Sequence, residues 1–377
     1  MIRILFTGGG TGGHIYPLIA VAQALRKSAE KRGVEIEFHY LGALGKYRET
    51  LTNAGMYVRE IVAGKLHRHS ALQSFFDAPK FFIGFFQALM RLYFLMPDAI
   101  FSKGGTGALP VIFAGWFYRI PIVIHESDTV PGLTNLVSAR FAKRIATSFA
   151  TALPYFSPAK RVQTGNPLRE EFVTNQPLQH VAKQELGFDA ERPLMLVWGG
   201  SQGSVRVNNL ILLVLKELLP LTQVLHQTGE KNILDVQKLS RASLMDVPVE
   251  EAAKSRYQAV AYFEGDMRKA LAASDIVISR GGSNSLFEIA AFGKPAIVIP
   301  LPEAAGDHQR SNAYEFAKGG AGIVIEEPNL LPEIFMSQVR EIMTKPERAE
   351  AMRRASKAFF KPNAAELVAE EIFSLTQ

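Results

Sequence analysis

A short apolar run followed at once by a run of glycines constrains the fold of this chain most strongly. Ile2–Phe6 is typical of a buried first strand, and it leads into Thr-Gly-Gly-Gly-Thr-Gly-Gly-His at residues 7–14. Glycines after a strand let backbone N–H groups approach an anion, and a following helix adds the positive end of its dipole. Pro17 fits the first turn of that helix, which we place from Tyr16 onward. The loop therefore predicts a polar or phosphorylated ligand beside His14, whose side chain can move a proton near neutral pH.

Other interpretations of the glycine loop are narrowed by what surrounds it. The spacing is not that of a Walker loop, because no Gly-Lys-Ser/Thr sequence follows the glycines. A dinucleotide site is disfavoured, because the second predicted strand, Ile36–Leu41, ends without a clear acidic residue. For the loop taken alone, a substrate site and a purely structural turn both remain.

Short apolar runs alternate with helical patterns along the chain, which predicts an α/β fold of parallel sheets wrapped by helices. Residues 162–169 are rich in turn formers and are interpreted as a hinge between two such sheets. A second glycine turn, residues 199–203, opens the second sheet, and ligands of such sheets bind at the strand ends. The predicted strands are Ile2–Thr7, Ile36–Leu41, Tyr57–Val62, Ala99–Ser102, Ile122–His125 and Arg144–Thr147, then Leu194–Trp198, Gln223–Gln227, Gln258–Phe263, Ile276–Ser279, Ala296–Pro300 and Gly322–Ile325.

Composition narrows the class of protein. A length of 377 residues favours two domains, and the absence of cysteine excludes disulfides, thiolate chemistry and cysteine-ligated zinc. The N-terminus enters a strand directly, so no signal peptide is expected, and no apolar run reaches the roughly 18–20 residues that span a bilayer. Residues 1–164 hold 19 Lys and Arg against 9 Asp and Glu, whereas the remainder holds 23 against 27. The basic first part predicts an anionic partner, with nucleic acid and an anionic membrane surface as candidates.

A phenylalanine-rich segment, residues 72–96, is the second unusual feature of the sequence. Pro79 is expected to open a helix on which Phe81, Phe82, Phe85, Phe86, Leu89 and Tyr93 fall on one face. Core packing is the favoured interpretation for residues 81–96. For residues 72–80, which include Phe75, Phe76 and Lys80, a role at a membrane surface is an equal alternative.

Six motifs in a fixed order resemble one known family. They are Gly-Gly-Gly-Thr-Gly-Gly-His-Ile-Tyr-Pro at 8–17, His-Glu-Ser-Asp at 125–128 with Gly-Leu-Thr-Asn at 132–135, Thr-Gly-Asn-Pro-Leu-Arg at 164–169, Gly-Gly-Ser-Gln-Gly at 199–203, Ser-Arg-Gly-Gly at 279–282 with Glu288, and His-Gln at 308–309 with Asn-Ala at 312–313. Together they cover nearly the whole chain and resemble glycosyltransferase family 28, the N-acetylglucosaminyltransferases that convert lipid I to lipid II in peptidoglycan synthesis.

The resemblance implies the GT-B fold, with two Rossmann-like domains facing a central cleft. The expected N-terminal domain is residues 1–164, which would bind the acceptor and dock on the membrane. The expected C-terminal domain is residues 165–359, which would bind the donor, and a final helix at about residues 360–377 would pack back on the first domain.

The resemblance also implies an inverting, metal-independent transferase. It would move GlcNAc from UDP-GlcNAc to the 4-hydroxyl of MurNAc in lipid I, as a peripheral protein of the cytoplasmic face of the plasma membrane. The expected partners are UDP-GlcNAc, lipid I (undecaprenyl-pyrophosphoryl-MurNAc-pentapeptide) and an anionic membrane surface, with no nucleic acid. No cofactor is expected, and the chain contains no Asp-x-Asp pair, so a helix dipole and side chains would stabilise the leaving diphosphate.

Residue roles carried over from the family divide into three groups. His14 is the first choice for the general base, while Glu126 could take the proton itself or orient the histidine. The donor would be bound by Thr11, Gly12, Gly13, Asp128, Asn135, Arg169, Ser201, Gln202, Phe263, Glu264, Met267, Glu288, His308 and Gln309. The acceptor and the membrane would be contacted by Gly104, Gly105, Thr106, Phe75, Phe76, Lys80 and Lys143.

Within the donor group, the resemblance gives some residues specific tasks. Glu288 would accept both ribose hydroxyls, residues 263–267 would hold the uracil, and His308 with Gln309 would bind the sugar hydroxyls. The turn at 199–203 would bind the UDP diphosphate, so the first glycine loop is expected to face the lipid pyrophosphate of the acceptor.

The sequence departs from the family pattern at two places. Residues 104–110 read Gly-Gly-Thr-Gly-Ala-Leu-Pro, where family members commonly have an aromatic residue and a valine, and Asp128 stands where many have asparagine.

The alternative functions are a UDP-GlcNAc 2-epimerase, another lipid-acceptor UDP-sugar transferase and a non-catalytic binding module. A hydrophobic basic surface argues against the epimerase, and the presence of both His14 and Glu126 argues against the module.

Overall fold

The computed structural model describes residues 1–63, 71–105, 107–200, 202–245, 256–263 and 267–376. The chain forms two compact units, one of Met1–Glu170 with Lys361–Gln377 and the other of Glu171–Phe360. Each unit is built on one parallel sheet with helices on its faces, which confirms the predicted α/β class with two Rossmann-like domains.

Thirteen strands are described, seven in the first unit and six in the second. They are β1 Ile2–Thr7, β2 Ile36–Gly42, β3 Met56–Glu60, β4 Ala99–Ser102, β5 Ile122–Glu126, β6 Arg144–Thr147 and β7 Arg161–Gln163, then β8 Leu194–Trp198, β9 Gln223–Gln227, β10 Tyr257–Val260, β11 Ile276–Ser279, β12 Ala296–Val298 and β13 Gly322–Val324.

The described helices follow the strands in near-regular alternation. They are α1 Gly12–Arg32, α2 Arg48–Asn53, α3 Ala71–Leu95, α4 Ala108–Phe117, α5 Leu133–Ser138, α6 Glu170–Val173, α7 Gln179–Glu185, α8 Val205–Leu218, α9 Ile233–Met245, α10 Met267–Ala273, α11 Ser283–Ala291, α12 His308–Lys318, α13 Pro332–Thr344, α14 Pro346–Phe359 and α15 Ala364–Phe373, with 3-10 turns at Ala150–Tyr155, Ala305–Asp307 and Glu327–Asn329.

The strand order of each sheet reverses at one point, and ligands of open parallel sheets bind at such points. The first sheet has the order β3-β2-β1-β4-β5-β6-β7, so its reversal lies between β1 and β4. The second has the order β10-β9-β8-β11-β12-β13, so its reversal lies between β8 and β11. In each unit the glycine-rich loop follows the strand at the reversal.

The alternation of side chains along β1 explains how the first unit packs. Ile4 and Phe6 belong to a core cluster that also contains residues of α1 and α15. Leu5 points to the opposite face, into a cluster with Leu92 of α3 and Val111 of α4. Both faces of the strand are therefore buried, as expected for a parallel sheet covered by helices.

Six of the predicted strands, β2, β3, β5, β10, β12 and β13, have ends that are shifted by one to three residues, and three further elements differ from the sequence prediction in other ways. Helix α1 begins at Gly12 rather than near Tyr16, because the Thr11 carbonyl accepts from the Ile15 N–H at 3.0 Å and closes a turn over two poor helix formers. Helix α3 contains Pro79 inside it rather than starting there. Strand β7, which was not predicted, overlaps the first two residues of the predicted hinge, since a strand of three residues at a sheet edge carries little pattern. Among helices of the described ranges, none is both long and apolar enough to cross a membrane.

Candidate active site

Two loops of the first unit meet at its reversal point with their backbones in close approach. One follows β1 and the other follows β4. A Cβ atom on Gly105 would lie 2.7 Å from the backbone nitrogen of Gly9, and Gly105 has a φ of +87°. Glycine is required there both by the space and by the left-handed backbone. The two loops thus form one backbone-lined crevice at the carboxyl ends of β1 and β4.

His14 lies in this crevice, in the first turn of α1. Its Nδ1 is 2.8 Å from the Thr11 hydroxyl, and a Cβ atom on Gly9 would lie 2.9 Å from the same nitrogen. On the other side, a Cβ atom on Gly105 would lie 3.0 Å from Nε2. The ring is therefore held between the two glycine loops. Of the sequence-predicted residues, Thr11, Gly12 and Gly13 directly precede His14, and Gly104 and Gly105 belong to the second loop.

Burial and the charge of Lys103 lower the pKa of His14 to about 4, while Asp128 opposes the shift. The imidazole is consequently neutral above that pH and keeps a nitrogen lone pair that can accept a proton. At neutral pH His14 is in the state that a general base requires.

Glu126 ends β5 and is only 3% exposed. Its carboxylate accepts hydrogen bonds from the Asp128 N–H at 2.9 Å, the Gly132 N–H at 3.1 Å and Asn135 Nδ2 at 2.9 Å. Burial and the nearby Asp128 raise the pKa of Glu126 to about 7, against these hydrogen bonds and Lys103. The carboxylate ties the strand end to the loop and to the first turn of α5.

Asn135 links this loop to the crevice. Its Nδ2 also donates to the His125 carbonyl at 3.2 Å, and a Cβ atom on Gly104 would lie 2.6 Å from its Oδ1. Gly104 has a φ of +78°, so the loop after β4 passes directly over the amide. The loops after β4 and β5 are thereby packed against each other.

Lys103, which sequence reasoning missed, is almost completely buried beneath the crevice. Its Nζ lies 2.6 Å from His125 Nδ1 and donates to Asn166 Oδ1 at 3.4 Å. Because a carbonyl only accepts, His125 Nε2 donates to the Gly165 carbonyl at 3.0 Å, and Nδ1 of the neutral ring accepts from Lys103. Burial lowers the pKa of Lys103 to about 7, with Glu126 and Asp128 opposing the shift. The sequence signal that could have identified Lys103 is its position as a charged residue directly after a central strand and before two glycines.

The remaining predicted residues of the first unit have no contact with His14 among those described above. Arg169 places its guanidinium 4.3 Å from the centroid of the Tyr16 ring, on the first turns of α1. Lys80 and Lys143 are exposed. Phe75 and Phe76 belong to α3, but their side chains lie outside the described part of the chain, as does the whole of Thr106.

Helices α3 and α4 present an exposed apolar surface, which we call the aromatic surface. Its members are at least half exposed, and Phe94 is 77% exposed. The sequence prediction placed Phe82, Phe86 and Tyr93 in the core, whereas α3 buries Ala88 and Leu92 instead. One stripe of a surface helix faces the sheet, so a helix that is apolar all round leaves its other side in water. The aromatic surface consists of Phe82, Ile83, Phe86, Met90, Tyr93 and Phe94 of α3 with Trp116 and Phe117 of α4.

The second unit holds a cavity of about 510 Å³ at its own reversal point. The glycine turn and the start of α8 form one side of it, and Arg280 with Gly282, after β11, forms another. Of the residues predicted to bind the donor, Gln202 and Gln309 line this cavity. Gln309 is fixed by its Oε1, which accepts from the Leu301 N–H at 3.2 Å.

The glycine turn of the second unit is braced from the neighbouring strand β9. Gln227 donates to the Gly200 carbonyl at 2.8 Å and accepts from the Phe263 N–H at 3.3 Å. Phe263 is 8% exposed. A Cβ atom on Gly203 would lie 1.8 Å from the Thr228 carbonyl, so the turn rests on the end of β9.

Other predicted donor residues lie on helices of the second unit and are not among the residues that line the cavity. Glu288 is half-buried in α11, Met267 begins α10 and His308 begins α12. Asp307 stands at the N-cap of α12 with a φ of +57° and makes no side-chain cap hydrogen bond. Ser201 and Glu264 lie outside the described residues. In the described ranges, no three His, Asp or Glu side chains cluster in a way that could hold a metal ion.

Charged side chains that sequence reasoning gave no role also line the cavity. Arg280 pairs with Glu327 at 2.7 Å, and both side chains are less than 10% exposed. Arg206 contacts Glu327 as well and pairs with Glu303 at 3.1 Å. Burial and the neighbouring Arg206 lower the pKa of Arg280.

Comparison with known proteins identifies both units. Residues 4–147 match the glycosyltransferase family 28 N-terminal domain, and residues 194–368 match the family 28 C-terminal domain. The UDP-N-acetylglucosamine–N-acetylmuramyl-(pentapeptide) pyrophosphoryl-undecaprenol N-acetylglucosamine transferase of Treponema pallidum is 36% identical over 98% of this chain and 94% of its own.

Two solved structures have a fold similar to that of this chain. MurG of Acinetobacter baumannii superposes with a TM-score of 0.74 at 25% identity, over 99% of this chain and 100% of that one. A UDP-GlcNAc 2-epimerase of Neisseria meningitidis reaches 0.70 at 13% identity, over 99% and 100% of the two chains. The second likeness concerns the fold alone.

Proposed function

The chain belongs to glycosyltransferase family 28, and we propose on that basis that it moves GlcNAc from UDP-GlcNAc to the 4-hydroxyl of MurNAc in lipid I, with inversion. The product is lipid II, the disaccharide precursor of peptidoglycan. The single observation that carries this proposal is the similarity of nearly the whole chain to transferases of that name. We propose that the crevice around His14 provides a base and that the cavity of the second unit provides an anion site, the two elements that the reaction needs.

His14 is proposed as the base that takes the proton from the acceptor hydroxyl. It is neutral above about pH 4, and the glycine loops at Gly9 and Gly105 pack closely against its two ring nitrogens. One base and one direct displacement at the anomeric carbon suffice for inversion. Glu126 is proposed as a positioning residue, because its carboxylate is engaged by three donors from the loop that it organises.

The donor is proposed to occupy the cavity of the second unit. Backbone N–H groups of the glycine turn and the N-terminus of α8 stabilise the charge that develops on the leaving diphosphate. Gln202 and Gln309 supply neutral hydrogen-bonding groups at the same cavity. Glu288 and Phe263 are retained as the proposed contacts of ribose and uracil.

The epimerase alternative rests on the fold alone, at 13% identity. Assaying UDP release from UDP-GlcNAc with and without a short-chain lipid I analogue separates the two activities. We expect release only when the analogue is present. Release that ignores the analogue contradicts the transferase proposal, and an isomerised sugar supports the epimerase.

The pH dependence of the reaction distinguishes the two candidate bases. With His14 as base, kcat/KM falls only as the pH drops through the low pKa of His14, toward about 4, because the protonated ring cannot accept a proton. With Glu126 as base, kcat/KM falls tenfold per pH unit below about 7. A profile of kcat/KM from pH 5 to 8 decides between them. The anionic acceptor should raise the pKa of His14, so the acid limb of kcat should lie at a higher pH than that of kcat/KM.

The aromatic surface is proposed as the membrane-docking face. A contiguous exposed apolar patch on a protein in water usually marks an interaction site. Lys80 and Arg91 on α3, and Lys143 directly before β6, are exposed basic groups that anionic lipids attract by about 1 kcal/mol each. Arg144, which follows Lys143, is paired with Glu371 at 3.1 Å.

Replacing Phe82, Phe86 and Phe94 together by serine should weaken binding to anionic vesicles by at least about 100-fold, since each buried ring contributes about 1 kcal/mol or more. Turnover of a short-chain, water-soluble acceptor should be unchanged. The matched control replaces Leu213 and Leu234 by serine. These leucines are 70% and 78% exposed on the second unit, and their replacement should leave vesicle binding unchanged. Co-sedimentation with vesicles measures both, and equal binding by the triple variant and wild type would rule out this face.

A further inference from the structure

Four charged side chains line the donor cavity in two layers. The inner pair, Arg280 and Glu327, is buried, with side chains 9% and 6% exposed. The outer pair, Arg206 and Glu303, is 57% and 60% exposed, with 3.1 Å between its charged atoms. Arg206 also contacts Glu327, so it bridges the two layers.

The two layers differ in how readily they change partners. Breaking a buried ion pair leaves an uncompensated charge and is strongly unfavourable. An exposed pair contributes only about 0–1 kcal/mol. The Glu303 backbone N–H and the Arg206 guanidinium hold the pKa of Glu303 below its usual range, so this carboxylate is ionised at neutral pH. Arg206 can therefore separate from Glu303 at a small cost in free energy. Its contact with Glu327 still holds the Arg206 side chain at the cavity.

Arg206 stands where an anion is best stabilised. It is the second residue of α8, a helix of 14 residues, and the Ser204 hydroxyl caps that helix by accepting from the Val207 N–H at 3.3 Å. The first N–H groups of a helix have no partner within it, and the preceding turn has positive φ at Gly200 and Gly203. A guanidinium binds phosphate oxygens through two parallel hydrogen bonds. The ligand class that suits these groups together is a diphosphate.

We propose that Arg206 binds the diphosphate of the nucleotide sugar by exchanging Glu303 for it, and that Glu303 competes with the nucleotide for Arg206. The identity of the nucleotide rests on the proposed function. A diphosphate carries more charge than one carboxylate and repels Glu303 as it enters. Glu303 thus weakens nucleotide binding, and it recovers Arg206 as UDP departs.

Isothermal titration of the full chain with UDP tests the exchange directly. Arg206→Gln should weaken UDP binding about tenfold, the loss of one charged hydrogen-bonding partner. Glu303→Gln should tighten UDP binding by up to about fivefold, the equivalent of an exposed ion pair. On the Arg206→Gln background, Glu303→Gln should have a smaller effect. Uridine, which lacks phosphates, should bind all variants equally.

Arg340→Gln is the matched control, because Arg340 pairs with Glu217 at 2.8 Å with both side chains more than half exposed, outside the cavity lining. It should leave UDP affinity unchanged. The proposal is overturned if Arg206→Gln binds UDP within twofold of wild type, or if Glu303→Gln weakens binding. Neither result contradicts the proposed function, provided that UDP release by the wild-type enzyme still depends on the acceptor.

Discussion

Replacing His14 by asparagine is expected to lower kcat by about 10²–10⁴-fold, the usual contribution of a general base. Asparagine keeps a polar group near Thr11 but cannot take a proton at neutral pH. Its smaller side chain also fits between Gly9 and Gly105, where the imidazole lies now. The loss should therefore appear in the chemical step rather than in folding.

UDP affinity separates a catalytic defect from a structural one. UDP is proposed to bind in the cavity of the second unit, and His14 is not among the residues that line it, so the dissociation constant of UDP should stay within twofold of wild type. His180→Asn, on the exposed side of α7, is the matched control and should retain full activity. A His14→Asn enzyme with more than a tenth of wild-type kcat would remove His14 from the role of base.

Gly105→Ala is the second substitution with a large expected effect. The added methyl would lie 2.7 Å from the Gly9 nitrogen and 3.0 Å from His14 Nε2, on a backbone with a φ of +87°. Alanine in that conformation costs about 1 kcal/mol, and the loops must also separate. A displacement of the base by about 1 Å is enough to lower activity about 10²-fold. We expect kcat/KM to fall by that factor and the melting temperature to drop.

Gly319→Ala is the matched control for this prediction. Gly319 has an ordinary φ of −81°, and a Cβ atom there meets nothing within 4 Å. Its activity and its melting temperature should equal those of wild type. If Gly105→Ala retained wild-type kcat/KM, the close packing of the two loops around His14 would have no bearing on catalysis.

The strands and glycine turns could be predicted from sequence because each is a local pattern. β1, β4, β6, β8, β9 and β11 match their predicted bounds, since short apolar runs end at turn residues there. β7 could not be predicted, because its three residues owe their conformation to pairing with β6. The aromatic surface was misjudged for a related reason, since periodicity shows that α3 is apolar but not which side the sheet covers.

The site could be predicted in its motifs but not in its electrostatics. His14 and Glu126 stand in recognisable sequences, whereas the contact of Lys103 with His125 joins residues from two strand ends. The bridge from Arg206 to Glu303 and Glu327 joins helix α8 to two segments that are distant from it in the sequence. Such pairings depend on the strand order, which a sequence pattern does not contain.

The most direct test of the central claim follows the sugar itself. The enzyme is incubated with UDP-GlcNAc labelled in the sugar and with a short-chain lipid I analogue, and the lipid-linked product is analysed by mass spectrometry and NMR. The account predicts one labelled GlcNAc on the 4-hydroxyl of MurNAc, in a β-linkage opposite to the α-linkage of the donor. Label that stays on the nucleotide, appears as a 2-epimer or reaches the acceptor in an α-linkage would contradict it.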